Sequence, residues 1–398
     1  MISVLQAQEI IQQRTSPLLS EAIPLAEAHG RVLREPVAAS EDMPSFDRSA
    51  MDGYAVRLDD DAKKFEVIGE IRAGQSVDGQ LLPGQAIRIL TGARLPGKGM
   101  KVVKQEDVEV EGKLLLITNR GPASYVRQRG EDAHAGEVLV HAGRVLDATA
   151  LALLASIGKT SPLVSVVPRI FHLTTGDEIV PPDATPADGQ IRNSNASLVA
   201  GLCREQGIDS VLHRHVGDDL TEMVKAIEEA HPESFDVVLI SGGSGGGTYD
   251  FSGELFKSLG ATIHFRAVDV RPGKPLIFGT SPTQIVFGLP GNALSHFVCF
   301  HLFVRRALDR LLARTSPSLT HGNLTEAMSD TANSRETWWP VTATVANGRL
   351  ECRALPWKSS GDITRLPAAN ALIKVPAATS RLDAGTMVDL LLTRTLSF

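Results

Sequence analysis

The spacing of hydrophobic and polar positions changes character several times along the chain. Near the N-terminus Ala7, Ile10 and Ile11 recur at helical spacing behind Ser3 and Gln6, a capping-box pair, which predicts a helix. From about residue 56 to 146 the runs shorten. FEVIGEI, AIRIL, VEVEGKLLLIT and EVLV are β-rich and punctuated by glycine and proline, with a tight turn expected at Glu111-Gly112. This stretch reads as all-β. Asp147 is then placed to cap a helix through ALALLASI, stopped by Gly158. From about 165 onward, strands RIFHLTT, DSVLHRHV, DVVLIS, ATIHF and QIVFGL are interspersed with helices. These are NASLVAGLCREQG, DDLTEMVKAIEEAH, FSGELFKSLG and the long ALSHFVCFHLFVRRALDRLLA. Such alternation implies a parallel sheet with helices on both faces. From about 317 to the end β patterning returns, with turns at Asn347-Gly348 and Gly385; SGGSGGG is the one low-complexity tract.

A chain of 398 residues exceeds what one core usually supports, so several folding units are expected. With 43% hydrophobic and 22% charged residues, disorder, a fibre and an integral membrane protein are excluded. The net charge of −6 argues against a nucleic-acid partner. Cys203, Cys299 and Cys352 are dispersed, poor material for a disulfide framework or a thiolate zinc site. The first residues, MISVLQAQEIIQQR, lack the basic and apolar regions of a signal peptide, and no apolar run approaches a membrane span. A cytoplasmic protein with no membrane partner is expected.

Three of the predicted strands run into glycine-bearing loops: Thr174-Thr175-Gly176-Asp177-Glu178, residues 241–250, and Gly288-Leu289-Pro290-Gly291-Asn292. In a right-handed α/β fold these loops emerge together at the carboxyl edge of the sheet, where ligands bind. Bare backbone N–H groups of Gly242, Gly243, Gly246 and Gly247, followed by a helix N-terminus, suit a phosphate; a plain tight loop is the alternative. Asn292 is placed to cap the long helix and repeat the arrangement. Asp177, Glu178, Asp218, Asp219 and Asp250 collect at the same edge. Phosphate beside carboxylates calls for Mg²⁺, although Asp218, Asp219 and Asp250 also stand where helix caps belong. For Asp219 capping alone is the better reading. Arg271 and Lys274, in RPGKP, sit on a stiff extended segment, either facing an anion or forming a solvated basic turn. By spacing alone the clusters around Asp52 and Asp132 read as structural turns with internal salt bridges.

Together PSFDRSAMDGYAVR, RAGQ, IRILTGA, QRGEDAHAG, TTGDEI, GGSGGGTYDF, RPGKP and GLPGN, in this order over nearly the whole chain, resemble the molybdopterin molybdenumtransferase family, which includes the E domain of gephyrin. The resemblance implies insertion of molybdate into adenylylated molybdopterin with release of AMP, a Mg²⁺ requirement, and a homodimer with a shared active cleft. Molybdopterin adenylyltransferase and molybdoenzyme apo-proteins are the implied partners. The implied fold is multidomain. An N-terminal helix (1–23) packs with a three-layer α/β molybdopterin-nucleotide-binding domain (165–316). A β-rich lid spans 41–136, a linking and dimerisation module 24–40 and 137–164, and a C-terminal β-barrel 317–398.

On this reading Glu178, Asp218 and Asp250 hold Mg²⁺. Thr175, Gly176, the glycine loop, Pro290, Gly291 and Asn292 hold the pterin nucleotide, with hydroxyls from Ser241 and Ser295. Arg271 and Lys274 attract molybdate or the pyrophosphate, and Asp52 and Asp132 reach across from the partner's lid. The last assignment reverses the structural reading that spacing alone suggests. The chain departs from the family pattern at several points. Thr248 replaces a glutamate, Ser244-Gly245 a Val-Ser pair, and Arg271 a lysine. Ala267 replaces a basic residue, with Arg266 one step out of register. Asn193 replaces an aspartate, and an arginine is replaced near Trp339-Pro340. Thr248, Ala267 and Pro340 motivate a second reading, a non-catalytic carrier or scaffold that binds molybdopterin. A nucleotide pyrophosphate hydrolase is a third, but it leaves the SAMDGYAV segment without a role.

Overall fold

The computed structural model describes residues 1–75, 79–242, 251–329, 333–346 and 348–394. Helix α1 (Val4–Arg14) opens with the expected capping box, Ser3 Oγ accepting from Gln6 N and the Gln6 side chain accepting from Ser3 N. Its buried face, Val4, Ala7 and Ile11, joins a core built mainly by the α/β sheet far along the chain. The β-rich region forms a six-stranded sheet from β1 (Gly53–Arg57), β2 (Lys64–Ile71), β3 (Gln85–Ile89), β4 (Met100–Lys104), β5 (Val108–Glu111) and β6 (Leu114–Ile117), in the order β4-β1-β3-β2-β6-β5. Gly112, at φ +62°, turns the chain between β5 and β6. Two short antiparallel pairs, Ser20–Ala22 with Leu163–Ser165 and Val37–Ala38 with Val138–Val140, flank α2 (Ala148–Ser156). Asp147 caps this helix by accepting from Ala150 N.

The α/β unit contains β7 (Ile170–Thr175), α3 (Ser194–Glu205), β8 (Val211–Val216), α4 (Leu220–Glu229), β9 (Val237–Ser241), α5 (Ser252–Ser258), β10 (Thr262–Phe265), β11 (Ile277–Thr280), β12 (Ile285–Leu289), α6 (Ala293–Cys299) and α7 (Arg305–Leu311). Its sheet runs β8-β7-β9-β12-β11-β10. The first four strands are parallel, whereas β11 and β10 pair antiparallel. The expectation of an all-parallel sheet is therefore corrected. Residues 281–284 are too few for a crossover helix, so β11 and β12 close as a hairpin. Helices α1, α3, α6 and α7 pack on one face through residues such as Ile11, Leu202, Phe297 and Leu308; α4 and α5 cover the other with Met223, Ile227 and Phe256. The single long helix expected after GLPGN is interrupted by a π-helical turn at Phe300–Val304.

The C-terminal strands β13 (Thr320–Leu324), β14 (Glu336–Ala346), β15 (Arg349–Ala354), β16 (Ala371–Val375) and β17 (Met387–Leu392) form a closed barrel: β14-β15-β13-β17-β16, with β16 pairing back to β14. Gly348 and Gly385 take positive φ at their turns, as expected. Among the described residues no helix is long and apolar enough to cross a membrane. The three cysteines are free and buried.

Candidate functional site

The register of the parallel strands sets the site. Thr174 of β7 lies level with Ser241 of β9, and Ser241 with Leu289 of β12, so three loops leave the sheet side by side. They surround a cleft of about 310 Å³ lined by Thr175, Gly176, Glu178, Asp218, Ser241, Gly242, Pro290, Gly291 and Asn292, together with Thr174, Ile179, Asn193, Asn195 and Pro275. Gly176 (φ +138°) and Gly242 (φ +105°) take backbone conformations that other residues avoid. A Cβ on Gly242 would meet Thr175 Oγ1 at 2.5 Å and its carbonyl oxygen at 2.8 Å, so the strand end approaches the first loop as closely as backbone permits.

The acidic residues of this edge divide into two kinds. Asp177 Oδ1 accepts from Asp218 N at 2.9 Å, and Asp219 caps α4 by accepting from Glu222 N at 2.9 Å, the capping role expected of Asp219. Glu178 and Asp218 line the cleft, and their carboxylates have no hydrogen bond or ion pair among the described residues. Thr175 Oγ1 and Asn195 Oδ1 are buried without a partner beside them. Two carboxylates and an unclaimed hydroxyl are hard oxygen donors of the kind Mg²⁺ takes along with phosphate oxygens and water, so the donor set fits that ion. Among the described residues no group of three His, Cys, Asp or Glu side chains could hold a metal. Asp250, expected as a third acid, lies outside the described residues, as do Gly243, Ser244, Gly245, Gly246, Gly247 and Thr248.

Several expected roles change once neighbours are visible. Ser241 Oγ, expected to reach a phosphate, is held at 2.7 Å by both His172 Nε2 and His296 Nε2. Asn292 stands at the start of α6 but does not cap it; its Nδ2 donates to Ser360 Oγ at 2.8 Å, tying the loop to the C-terminal region. Arg271, expected to face an anion, places its guanidinium 4.9 Å from the centre of the Trp357 ring, away from the cleft lining. Its pKa is lowered by burial and by the like charge of Arg335. Lys274 is exposed and has no ion pair among the described residues, and its neighbour Pro275 lines the cleft. Ser295 is buried in α6 and absent from the lining.

The lid residues do not line the cleft of their own chain. Asp52 accepts from Thr91 N at 2.7 Å and Thr91 Oγ1 at 2.8 Å, bonds that hold its carboxyl below the usual carboxylate range. Asp132 pairs with Arg127. Of the internal salt bridges that spacing alone predicts for the two clusters, an ion pair is present at Asp132, whereas Asp52 bonds instead to Thr91, far along the chain. Asn193 bonds through both ends of its amide. Its Oδ1 caps α3 through Ala196 N, and its Nδ2 donates to Thr174 Oγ1 at 2.9 Å. An aspartate at this position would have no proton to give Thr174 at neutral pH. Sequence reasoning passed over His172 and His296. Their signal was a histidine inside an apolar strand and another inside an apolar helix.

Comparison with known proteins agrees with this architecture. Residues 2–158 match the MoeA N-terminal region (domain I and II), 172–310 a probable molybdopterin binding domain, and 326–393 the MoeA C-terminal region (domain IV). A molybdopterin molybdenumtransferase of Nostoc sp. is 36% identical over 384 residues, covering 92% of this chain and 87% of that protein. One from Staphylococcus epidermidis is 29% identical, covering 100% and 97%. The crystal structure of a molybdopterin biosynthesis MoeA protein from Pyrococcus horikoshii superimposes with a TM-score of 0.84 at 29% identity, covering 99% of this chain and 100% of that one. With its three regions in family order, its barrel closed and its cleft at the carboxyl edge of the sheet, the chain belongs to the molybdopterin molybdenumtransferase family, transferases of molybdenum cofactor biosynthesis.

Proposed function

We propose that this transferase inserts molybdate into adenylylated molybdopterin, releasing AMP, with Mg²⁺ held by Glu178 and Asp218. The observation that carries the reading is the pair of carboxylates, without partners among the described residues, that line the same cleft as Gly242 and Gly291. Backbone N–H groups of those loops bind phosphate oxygens, while the Thr175 hydroxyl and the Asn195 amide oxygen take up polar groups of the substrate. Bound Mg²⁺ supplies charge compensation on the leaving phosphate. Asn195, donating to Gly291 O at 2.7 Å, keeps the far wall of the cleft in place.

The proposal extends to a homodimer in which Asp52 and Asp132 of one lid complete the partner's cleft. Supporting this, neither residue lines the cleft of its own chain. A cytoplasmic setting, with molybdopterin adenylyltransferase upstream and molybdoenzyme apo-proteins downstream, accords with three reduced, buried cysteines. The carrier reading draws its support from Arg271, whose charge rests on Trp357 rather than in the cleft. Purified protein supplied with adenylylated molybdopterin, Mg²⁺ and molybdate decides between them. AMP release that depends on molybdate, with activation of an apo-enzyme, is expected. Tight binding without AMP release establishes the carrier instead, and AMP release indifferent to molybdate establishes a hydrolase.

A further inference from the structure

Beneath the cleft floor lies a buried polar chain that the proposed reaction does not itself use. Ser241 Oγ sits between His172 Nε2 on β7 and His296 Nε2 on α6, each at 2.7 Å, and both imidazoles are fully buried. A serine hydroxyl has one proton, so it donates to one ring and accepts from the other. The order follows from the remaining nitrogens. His296 Nδ1 lies 3.3 Å from the carbonyl oxygen of Asn292, which only accepts, so Nδ1 carries the ring proton. Nε2 of that neutral ring is then the acceptor for Ser241, and His172 Nε2 must supply the proton that Ser241 Oγ accepts. His172 Nδ1 is left as a bare lone pair, and this atom is buried without a partner. The opposite order would bury an unpartnered N–H there, the costlier defect. Burial lowers the pKa of both rings, with the neighbouring His296 adding to it at His172, so both stay neutral.

We propose that this chain, running His172 to Ser241 to His296 to the Asn292 carbonyl, fixes the distance across the cleft between Gly242, at the end of β9, and the Gly291–Asn292 loop, with His296 as the positioning residue. Ser241 ends β9 at the first loop, and Asn292 ends the second. Gly242, directly after Ser241, lies so near Thr175 that a Cβ on it would clash, and the bond from Ser241 to His296 is what ties this strand end to α6. His296, itself part of α6, ties that helix to β9 through Ser241 and bonds back to the Asn292 carbonyl at the helix start. The His172 ring is the outer end of the chain and makes no further hydrogen bond among the described residues, so its loss leaves the bond between Ser241 and His296 intact.

The inference rests on the cleft being a nucleotide-phosphate site, and two measurements separate it from that reading. In protein labelled with ¹⁵N-histidine, with signals assigned by His172→Phe and His296→Phe, the expected spectrum at neutral pH has His296 protonated on Nδ1 and His172 on Nε2. The reverse assignment overturns the chain whatever the protein's activity. In calorimetric titration with AMP and Mg²⁺, His296→Phe is expected to weaken binding roughly tenfold, the equivalent of one buried hydrogen bond. His172→Phe is expected to change it less than about twofold, because only the outer donor is lost. Ser241→Ala should resemble His296→Phe. Equal losses for the two histidine variants, or an affinity unchanged in both while thermal stability falls, reduces the chain to ordinary core packing and overturns the positioning role. If wild-type protein binds no AMP, the nucleotide reading fails, and the ¹⁵N spectrum alone upholds or overturns the chain.

Discussion

The carboxyl edge of the α/β sheet and the lid both display acidic residues, but they treat them differently. In the lid Asp52 Oδ1 accepts twice from Thr91, and Asp132 is paired with Arg127. At the sheet edge Asp177 and Asp219 take up the local backbone N–H groups, and Glu178 and Asp218 line the cleft without partners among the described residues. A carboxylate that has found a local donor stabilises its own loop. One that its neighbours have relieved of that duty is free for a cation or a substrate. The division of labour between adjacent residues, Asp177 beside Glu178 and Asp219 beside Asp218, sets the sheet edge, the candidate site, apart from the lid.

The contrast is tested most severely at Asp218. Asp218→Asn should lower Mg²⁺-dependent AMP release by about a hundredfold or more, since a charge facing the ion is lost while the backbone bond to Asp177 is retained. Turnover close to wild type would put the metal elsewhere. Next comes Gly242→Ala, which combines a positive φ with a Cβ driven against Thr175. A loss of roughly 2–3 kcal/mol in denaturant unfolding is expected, and a neutral result would mean that the loop end yields. The lid side of the comparison is probed by mixing subunits. If the cleft is shared, Asp52→Ala and Asp218→Asn chains, each inactive alone, should recover about a quarter of wild-type activity when mixed equally. Half the dimers are then mixed, each with one intact cleft. A mixture as inactive as its parents would confine the lid to its own chain.

The smallest effect concerns acid. Burial pushes His296 down to about 4 and His301 down to about 3. Unfolded imidazoles titrate near 6.5, so below that pH the unfolded chain binds more protons than the folded one. Stability should be level above about pH 6.5 and decline as pH falls toward 4. Against this, Asp52, whose carboxyl Thr91 holds below the usual carboxylate range, should lose its contribution only as pH falls below about 4. Thermal melts of His296→Phe should show a shallower decline between pH 6.5 and 4, and an unaltered slope would remove His296 from the account.

Much of the molecule was legible because its causes are local. The capping box at Ser3, the caps at Asp147 and Asp219, and the glycine turns at 112, 348 and 385 depend on groups within a few residues of one another. The carboxyl-edge location of the site followed from handedness, a consequence of chirality that any parallel strand–helix alternation inherits. What stayed hidden required partners distant in the chain. β11 is the exception: its run Ile277–Thr280 is too short to signal a strand by pattern, although its partner β12 follows directly after residues 281–284.

The residue types decided the local chemistry of this protein: which loops would expose backbone N–H groups, where acids would gather, and which helices would begin and end. Tertiary structure alone decided what each polar side chain was free to do. Arg271 met Trp357, Asn292 met Ser360, and Ser241 met two histidines from different elements. Hydrogen bonds and cation–ring contacts act over a few ångströms, whereas the sequence orders residues only along the chain. A side chain's availability for function is therefore settled by whatever packs against it in space.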